Sequence, residues 1–405
     1  MRQGSKTVFV CLVVCLEGSI ASAQRSLTLP EALARAREQA PRIVSARLAI
    51  DEARGRLRGA SIGLASNPEI DVGAGRRRGP DARFTDWEVG VQQTFEPPGR
   101  RSARIAAANA SIAAGTANLD EVTRSVLRDA AAAFYRTLHA NERLRLLAMA
   151  EEFARGIHVA ADRRFKAGDI ALLDVNIART ARARAHADRE AAAAEKVLSL
   201  GDLKQLLRLD ESVEATGALA PEGSPDLESA LRGVADRPEF RSLLAGIDEA
   251  DAEVRLGESL AKPGFGLGAR YSKEEGDKIL FGSFSFTLPV FSKGQEQRAT
   301  GSARALRLRT ELEAARQRAL IQVKTSFEAL ERRLAAVRIL ESEALPGMDE
   351  NERLTTRSFE AGQIGLADLL VIRREILDTR FQYLDRLLEA TLARVELDIL
   401  SGVLR

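Results

Sequence analysis

The sequence predicts a mainly α-helical protein with membrane β-strands, in which long helical hairpins are internally duplicated. Three observations carry that prediction. Ala, Leu, Arg and Glu dominate and aromatics make up only 5% of the chain, a bias toward long helices rather than a mixed core. A phrase recurs: Phe165, Gly168, Ile170 and Asp174 in RRFKAGDIALLDVNIAR return at the same spacing as Phe359, Gly362, Ile364 and Asp368 in RSFEAGQIGLADLLVIR. Finally, two pairs of short segments alternate apolar and polar residues at the period of a strand.

Residues 1–23 read as a secretory signal peptide. Arg2 and Lys6 precede the apolar run VFVCLVVCL, and the small Ala21-Ser22-Ala23 precedes Gln24. The run is too short to anchor a protein in a membrane. A lipidated Cys15 fits less well, because Val14 is bulky and the Ala-Ser-Ala pattern competes. Both cysteines, Cys11 and Cys15, fall inside this segment, so the mature chain is expected to hold no thiol, disulfide or Cys-based metal site.

The repeated phrase divides the remainder into two halves, 24–220 and 221–405, about one domain-length apart. Other matches fall in the same order: Pro41 with Pro238, Ile50–Ala53 with Ile247–Ala250, and NPEIDVGAG with KPGFGLGAR. Each half reads as helix, two strands, very long helix, tip and returning helix. The first helix is expected from residue 30 to about 61, interrupted at Pro41 and ended by Asn67-Pro68. After the strands, residues from about 102 to 165 keep helical spacing without a proline, on the order of 90 Å of helix. The counterpart from about 295 to 359 contains Pro346-Gly347, where a kink or break is expected.

In TDWEVGVQQTF, Trp87, Val89, Val91 and Phe95 share a face opposite Glu88, Gly90, Gln92 and Thr94. In ILFGSFSFTL, Leu280, Phe284, Phe286 and Leu288 oppose Ser283, Ser285 and Thr287, while Phe265, Leu267 and Tyr271 align in GFGLGARY, and Ile70 with Val72 in EIDVGAG. Gly-rich loops, RRRGPDARF and SKEEGD, join each pair. Such lengths and alternation suit an outer-membrane barrel. The blander alternative is a half-buried antiparallel sheet packed on helices. Four strands cannot close a barrel, and open edges in lipid are prohibitively costly. Membrane strands would therefore need several copies of the chain: two give eight strands, three give twelve, and only the larger closure leaves a channel.

The signal peptide, the LTLPEALARA opening, the two-fold repeat, the strands ending in QQTFEPPGRR and SFTLPVFSKGQ, and the twice-written tip phrase together resemble the TolC-type outer-membrane efflux family. The resemblance implies a homotrimer with a shared twelve-stranded outer-membrane barrel above a helical barrel that crosses the periplasm. It also implies a passive duct that exports metal cations or small toxic compounds handed over by a periplasmic adaptor and an inner-membrane pump. The EPPGRR run looks closest to the branch serving heavy-metal-ion efflux. By the same resemblance, the repeated phrase is the periplasmic tip. Asp174, Asp368, Phe165 and Phe359 would form the gate, with the carboxylates one to two turns into the returning helices. Gly168, Gly362, Ile170 and Ile364 would meet the adaptor, and Trp87, Val89, Val91, Phe265, Leu267, Phe284 and Phe286 would meet lipid. Ringed carboxylates would attract cations; alternatively each Asp simply caps its helix. The family closes its tip with Tyr and Arg links, but here Phe359 and Ile364 hold those places, so closure is expected to rest on packing, with Arg163, Arg164, Arg357 and Arg373 as candidate substitutes.

Other functions are disfavoured. Lys and Arg number 60 against 58 Asp and Glu, for a net charge of +2, which argues against a nucleic-acid partner. His139, His158 and His186 fall in no metal or triad pattern, although His158 and Asp162 could share a helix face. GAGRRRG and GFGLG lack the Gly-Lys-Ser/Thr of a phosphate loop. No cofactor, resident metal or catalytic group is expected. A periplasmic coiled-coil adaptor or scaffold is the competing reading, though it would need no paired alternating strands.

Overall fold

The computed structural model describes residues 25–64, 66–79, 82–221 and 226–402; the expected signal peptide and both cysteines lie outside them. A short strand β1 (Arg25–Leu27) leads into α1 (Leu29–Gln39) and α2 (Pro41–Ala60). Pro41 divides these helices as expected, because it has no N–H to give and suits a first turn. The strands β2 (Glu69–Arg78) and β3 (Arg83–Phe95) follow. Then α3 (Arg100–Lys166) runs unbroken for 67 residues, about 100 Å at 1.5 Å per residue. It reverses into α4 (Leu172–Leu207), and the half ends with β4 (Val213–Ala215).

The second half opens with α5 (Leu227–Arg232) and a 3₁₀ turn, after which Pro238 opens α6 (Pro238–Leu260) as Pro41 opens α2. Next come β5 (Gly264–Glu274) and β6 (Asp277–Thr287), then α7 (Gln295–Ile339). The interruption at Pro346-Gly347 takes the form of a π-helical turn over Leu340–Ala344, from which α8 (Leu345–Glu360) continues. A π turn widens the backbone just before the proline, whose ring would otherwise crowd the carbonyl four residues back. Finally α9 (Leu366–Leu400) returns.

Packing follows the small residues. Leu127, Ala130, Ala133 and Phe134 of α3 are buried with Ile43 of α2 and Leu203 and Leu207 of α4 in one cluster. A second cluster joins Phe240 and Ile247 of α6 to Leu312, Val323 and Leu330 of α7 and Leu397 of α9. Alanine on facing helices lets the backbones approach closely, so long helices pack side by side with little bulk between them. The parallel pairing of β1 with β4, Leu27 opposite Ala215, ties the start of the first half to its end. No strand was expected at either place.

β2, β3, β5 and β6 form one antiparallel sheet in that order, leaving β2 and β6 as its edges. The strands reach further than the expected loops allowed. Arg76–Arg78 pair with Arg83–Thr85, and Ser272–Glu274 with Asp277–Ile279. The β5–β6 turn shrinks to Glu275 and Gly276, both at positive φ, the geometry whose twist matches a hairpin. No described helix is long and apolar enough to cross a membrane.

Candidate functional site: the helical tips and the open sheet

Both tips are built the same way. In the first, Gly168 at φ 81° donates its N–H to Phe165 O (3.0 Å), and Asp169 N donates to Arg164 O (2.9 Å). In the second, Gly362 at φ 74° donates to Phe359 O (3.0 Å), and Gln363 N to Ser358 O (2.8 Å). This is the Schellman closure, which satisfies the last carbonyls of a helix and requires one left-handed residue. The repeated glycine is there for its backbone: open space surrounds the place where a Cβ would stand at either position.

The carboxylates sit earlier than expected. Asp174 and Asp368 fall in the first turn of α4 and α9, not one to two turns in. Asp368 accepts the backbone N–H of Gly365 at 3.2 Å, so it caps its helix at the positive end of the dipole. Asp174 is half-buried, and its side chain has no hydrogen-bond or ionic partner among the described residues.

A small apolar cluster joins the two tips. Ala161, Ala178, Leu366 and Leu369 are buried, and Ile170, Ile364, Phe359 and Phe153 pack against them. Ile170 and Ile364 thus serve the packing between the hairpins, whereas Gly168 and Gly362 are exposed. Phe165 stands outside the cluster, 40% exposed; the packing is carried by Phe359 and the aliphatics. Above the cluster the hairpins part around a cleft of about 1100 Å³ lined by Leu147, Asp188, Arg374 and Phe381.

Of the four candidate arginines, Arg163, Arg164 and Arg357 are exposed, and Arg373 alone is drawn into the protein. It donates to Glu352 and, at 2.9 Å, to Thr356 Oγ1 on α8, while its guanidinium lies over the Phe153 ring of α3 at 4.1 Å. Burial, with Arg380 nearby, lowers its pKa from the usual arginine value. Arg380 in turn donates to Asp349 (2.8 Å) and Glu352 (2.9 Å). Sequence reasoning missed Phe153, Glu352 and Arg380; the helical spacing of Arg373 and Arg380, one face apart by two turns, was the only signal for them. The His158–Asp162 pair does not form a ligand set, because Lys166 donates to Asp162 at 2.6 Å and holds its carboxyl below the usual range. Among the described residues no cluster of three His, Cys, Asp or Glu side chains is placed to hold a metal.

In the sheet, register places the expected apolar residues on one face. Val72 pairs with Val89, Val89 with Tyr271, Leu267 with Phe284 and Phe265 with Phe286. The opposite face carries Glu88, Gln92, Ser283 and Ser285. The apolar face is bare: Ile70 is 73% and Leu280 76% exposed. Aromatic pairs mark its two ends, Trp87–Tyr271 at 5.5 Å near the turns and Phe95–Phe265 at 5.3 Å near the helices. From Trp87 to Phe95 is about 26 Å of strand at ~3.3 Å per residue, close to the height of an outer-membrane apolar band.

A family model described as outer membrane efflux protein matches residues 32–207 and 233–403. The chain belongs to the outer membrane efflux protein family. This efflux protein is 27% identical over 317 residues to the cobalt-zinc-cadmium resistance protein CzcC of Cupriavidus metallidurans, covering 76% of this chain and 75% of that one. Its fold matches the CmeC outer membrane channel of Campylobacter jejuni with a TM-score of 0.77 and 16% identity, over 92% of this chain and 85% of that chain. It also matches the open-state MtrE channel of Neisseria gonorrhoeae with a TM-score of 0.74 and 19% identity, over 92% and 88%. The protein is an outer-membrane efflux channel and not an enzyme. The family works in tripartite systems, which implies an adaptor and an inner-membrane pump as partners of the efflux protein.

Proposed function

We propose that three copies of this chain close one twelve-stranded barrel and one helical duct, through which solutes handed over by an adaptor and pump leave the cell without chemistry. The observation that carries this reading is the open sheet. Its four strands of 10 to 13 residues are long enough to span, have two unpaired edges, and expose an apolar face. In lipid such edges must be paired by another copy. The seven residues Trp87, Val89, Val91, Phe265, Leu267, Phe284 and Phe286 would then face acyl chains. On the same reading 24–220 and 221–405 are duplicates of one ancestral unit, supported by the matching tips and the matching prolines.

At the periplasmic end, Asp174 and Asp368 would ring the constriction in the trimer, and the adaptor would engage the exposed turns at Gly168 and Gly362. The cap made by Asp368 does not compete with this role, since its carboxylate stays exposed. Divalent metal ions are the proposed cargo, supported by the relative named for cobalt, zinc and cadmium resistance and by the acidic tip. Reconstitution into planar bilayers tests the duct. Discrete conductance steps are expected, and purified protein that inserts but never conducts would overturn it.

A further inference from the structure

Beyond the Trp87–Tyr271 pair the apolar face of the sheet changes character. Ladder partners share a face, as do residues two apart along a strand. By that rule Arg76, Arg78, Arg83, Lys273 and Lys278 lie on the face of Ile70, Val89 and Leu280. All five are exposed, and no acidic residue of the four strands shares their face. Arg78 pairs with Arg83 as the last pair of the first hairpin, and Lys273 with Lys278 as the last but one of the second, before Glu274 and Asp277, so cations oppose each other near both turns. Directly opposed like charges destabilise a sheet.

The other face of the same strands is treated differently. Arg77 is paired with Asp86 (2.9 Å), Glu275 (3.0 Å) and Glu274 (3.3 Å), and Arg270 with Glu88 (3.4 Å) and Asp71 (3.7 Å). The outward five make no ion pair among the described residues. Inward cations have their counter-charge built in; among the described residues the outward five have none.

We propose that these five residues form a basic crown that binds the phosphorylated headgroups of the glycolipid in the outer leaflet. The inference rests on the reading that the apolar face meets lipid. The strands join the helices at their other end, so the hairpin turns point away from the periplasm. The crown therefore stands at the outer surface, directly above the aromatic belt. Anionic headgroups sit at that height, and each basic side chain near such a surface adds to the attraction. Guanidinium forks in addition match phosphate oxygens in pairs.

The test uses full-length protein in phosphatidylethanolamine nanodiscs, titrated with bis-phosphorylated lipid A and with the same lipid lacking its phosphates. Wild type is expected to prefer the phosphorylated form by about tenfold or more. The variant carrying Gln at 76, 78, 83, 273 and 278 should lose that preference, and Arg78→Gln with Lys273→Gln should fall between. Equal preference in wild type and the fivefold variant would overturn the proposal, as would loss of the preference in millimolar inorganic phosphate, which would mark a site for free anions. If wild type fails to enter the nanodisc, the channel reading falls and takes this one with it. Normal insertion without a phosphate preference sinks the crown alone.

Discussion

The Arg373 guanidinium on α9 lies over the ring of Phe153 on α3, 4.1 Å from its centroid. The same group donates to Glu352 and Thr356 on α8, so one side chain joins three helices and bridges the two hairpins. A polar link therefore exists near the tip, although residues 359 and 364 cannot make one. Through Phe153 it adjoins the apolar cluster of Phe359, Ile170 and Ile364, and separating the hairpins would break it.

Removing this link should favour the open tip. A desolvated cation–π contact contributes about 1–2 kcal/mol, which corresponds to roughly a tenfold rise in the open population. Arg373→Ala and Phe153→Ala are each expected to raise open probability in planar bilayers by about that factor, and the double variant should add little. Wild-type gating in both would show that the bridge does not hold the tip closed.

The tip carboxylates are expected to act on ions rather than on stability. Asp174→Ala with Asp368→Asn should weaken block by divalent cations by about tenfold or more, because a ring of like charges concentrates cations at a constriction. Asn at 368 keeps an acceptor for Gly365 N–H, so the helix start survives. Unchanged divalent block would remove the carboxylates from the gate.

Gly168→Ala and Gly362→Ala place a Cβ on a left-handed residue, at a cost of about 1–2 kcal/mol. The space around both positions is open, so the effect should be one of backbone strain alone. Amides of residues 163–171 or 357–365 are expected to exchange about fivefold faster or more, with the rest of the protein unaffected. No local change would contradict the Schellman assignment.

Acid should loosen α1 at its start. Glu31 accepts the backbone N–H and the hydroxyl of Thr28, each at 2.9 Å, and the backbone bond is the main cause that holds its carboxyl below the usual glutamate range. A carboxylate with a depressed folded pKa contributes fully above its unfolded value of about 4.3 and loses that contribution as pH falls through the folded one. Exchange protection of the first turn of α1 should therefore drop below about pH 4. Glu31→Gln should show no such acid dependence; an identical drop in the variant would assign the effect elsewhere.

The parts of this fold that were legible in the sequence are those with a local cause. Gly168 and Gly362 announce helix ends because few residues adopt φ > 0, and Val89, Val91, Phe284 and Phe286 announce a sheet face by alternating. The pairing of Leu27 with Ala215 was not legible, because three-residue strands far apart in the chain show no period. The place of Asp174 and Asp368 in the first turn depends on how many residues the tip uses before the helix restarts, which no spacing rule supplies. Phe153 and Arg373 meet only because two hairpins pack together, and the π turn before Pro346 was expected only as a generic kink.

The central claim is that one chain has too little sheet to wall itself off from lipid. Native mass spectrometry of protein extracted gently from outer membranes tests it most directly. Three chains per particle are expected; a single water-soluble chain, stable without detergent, would contradict the shared wall and everything built upon it.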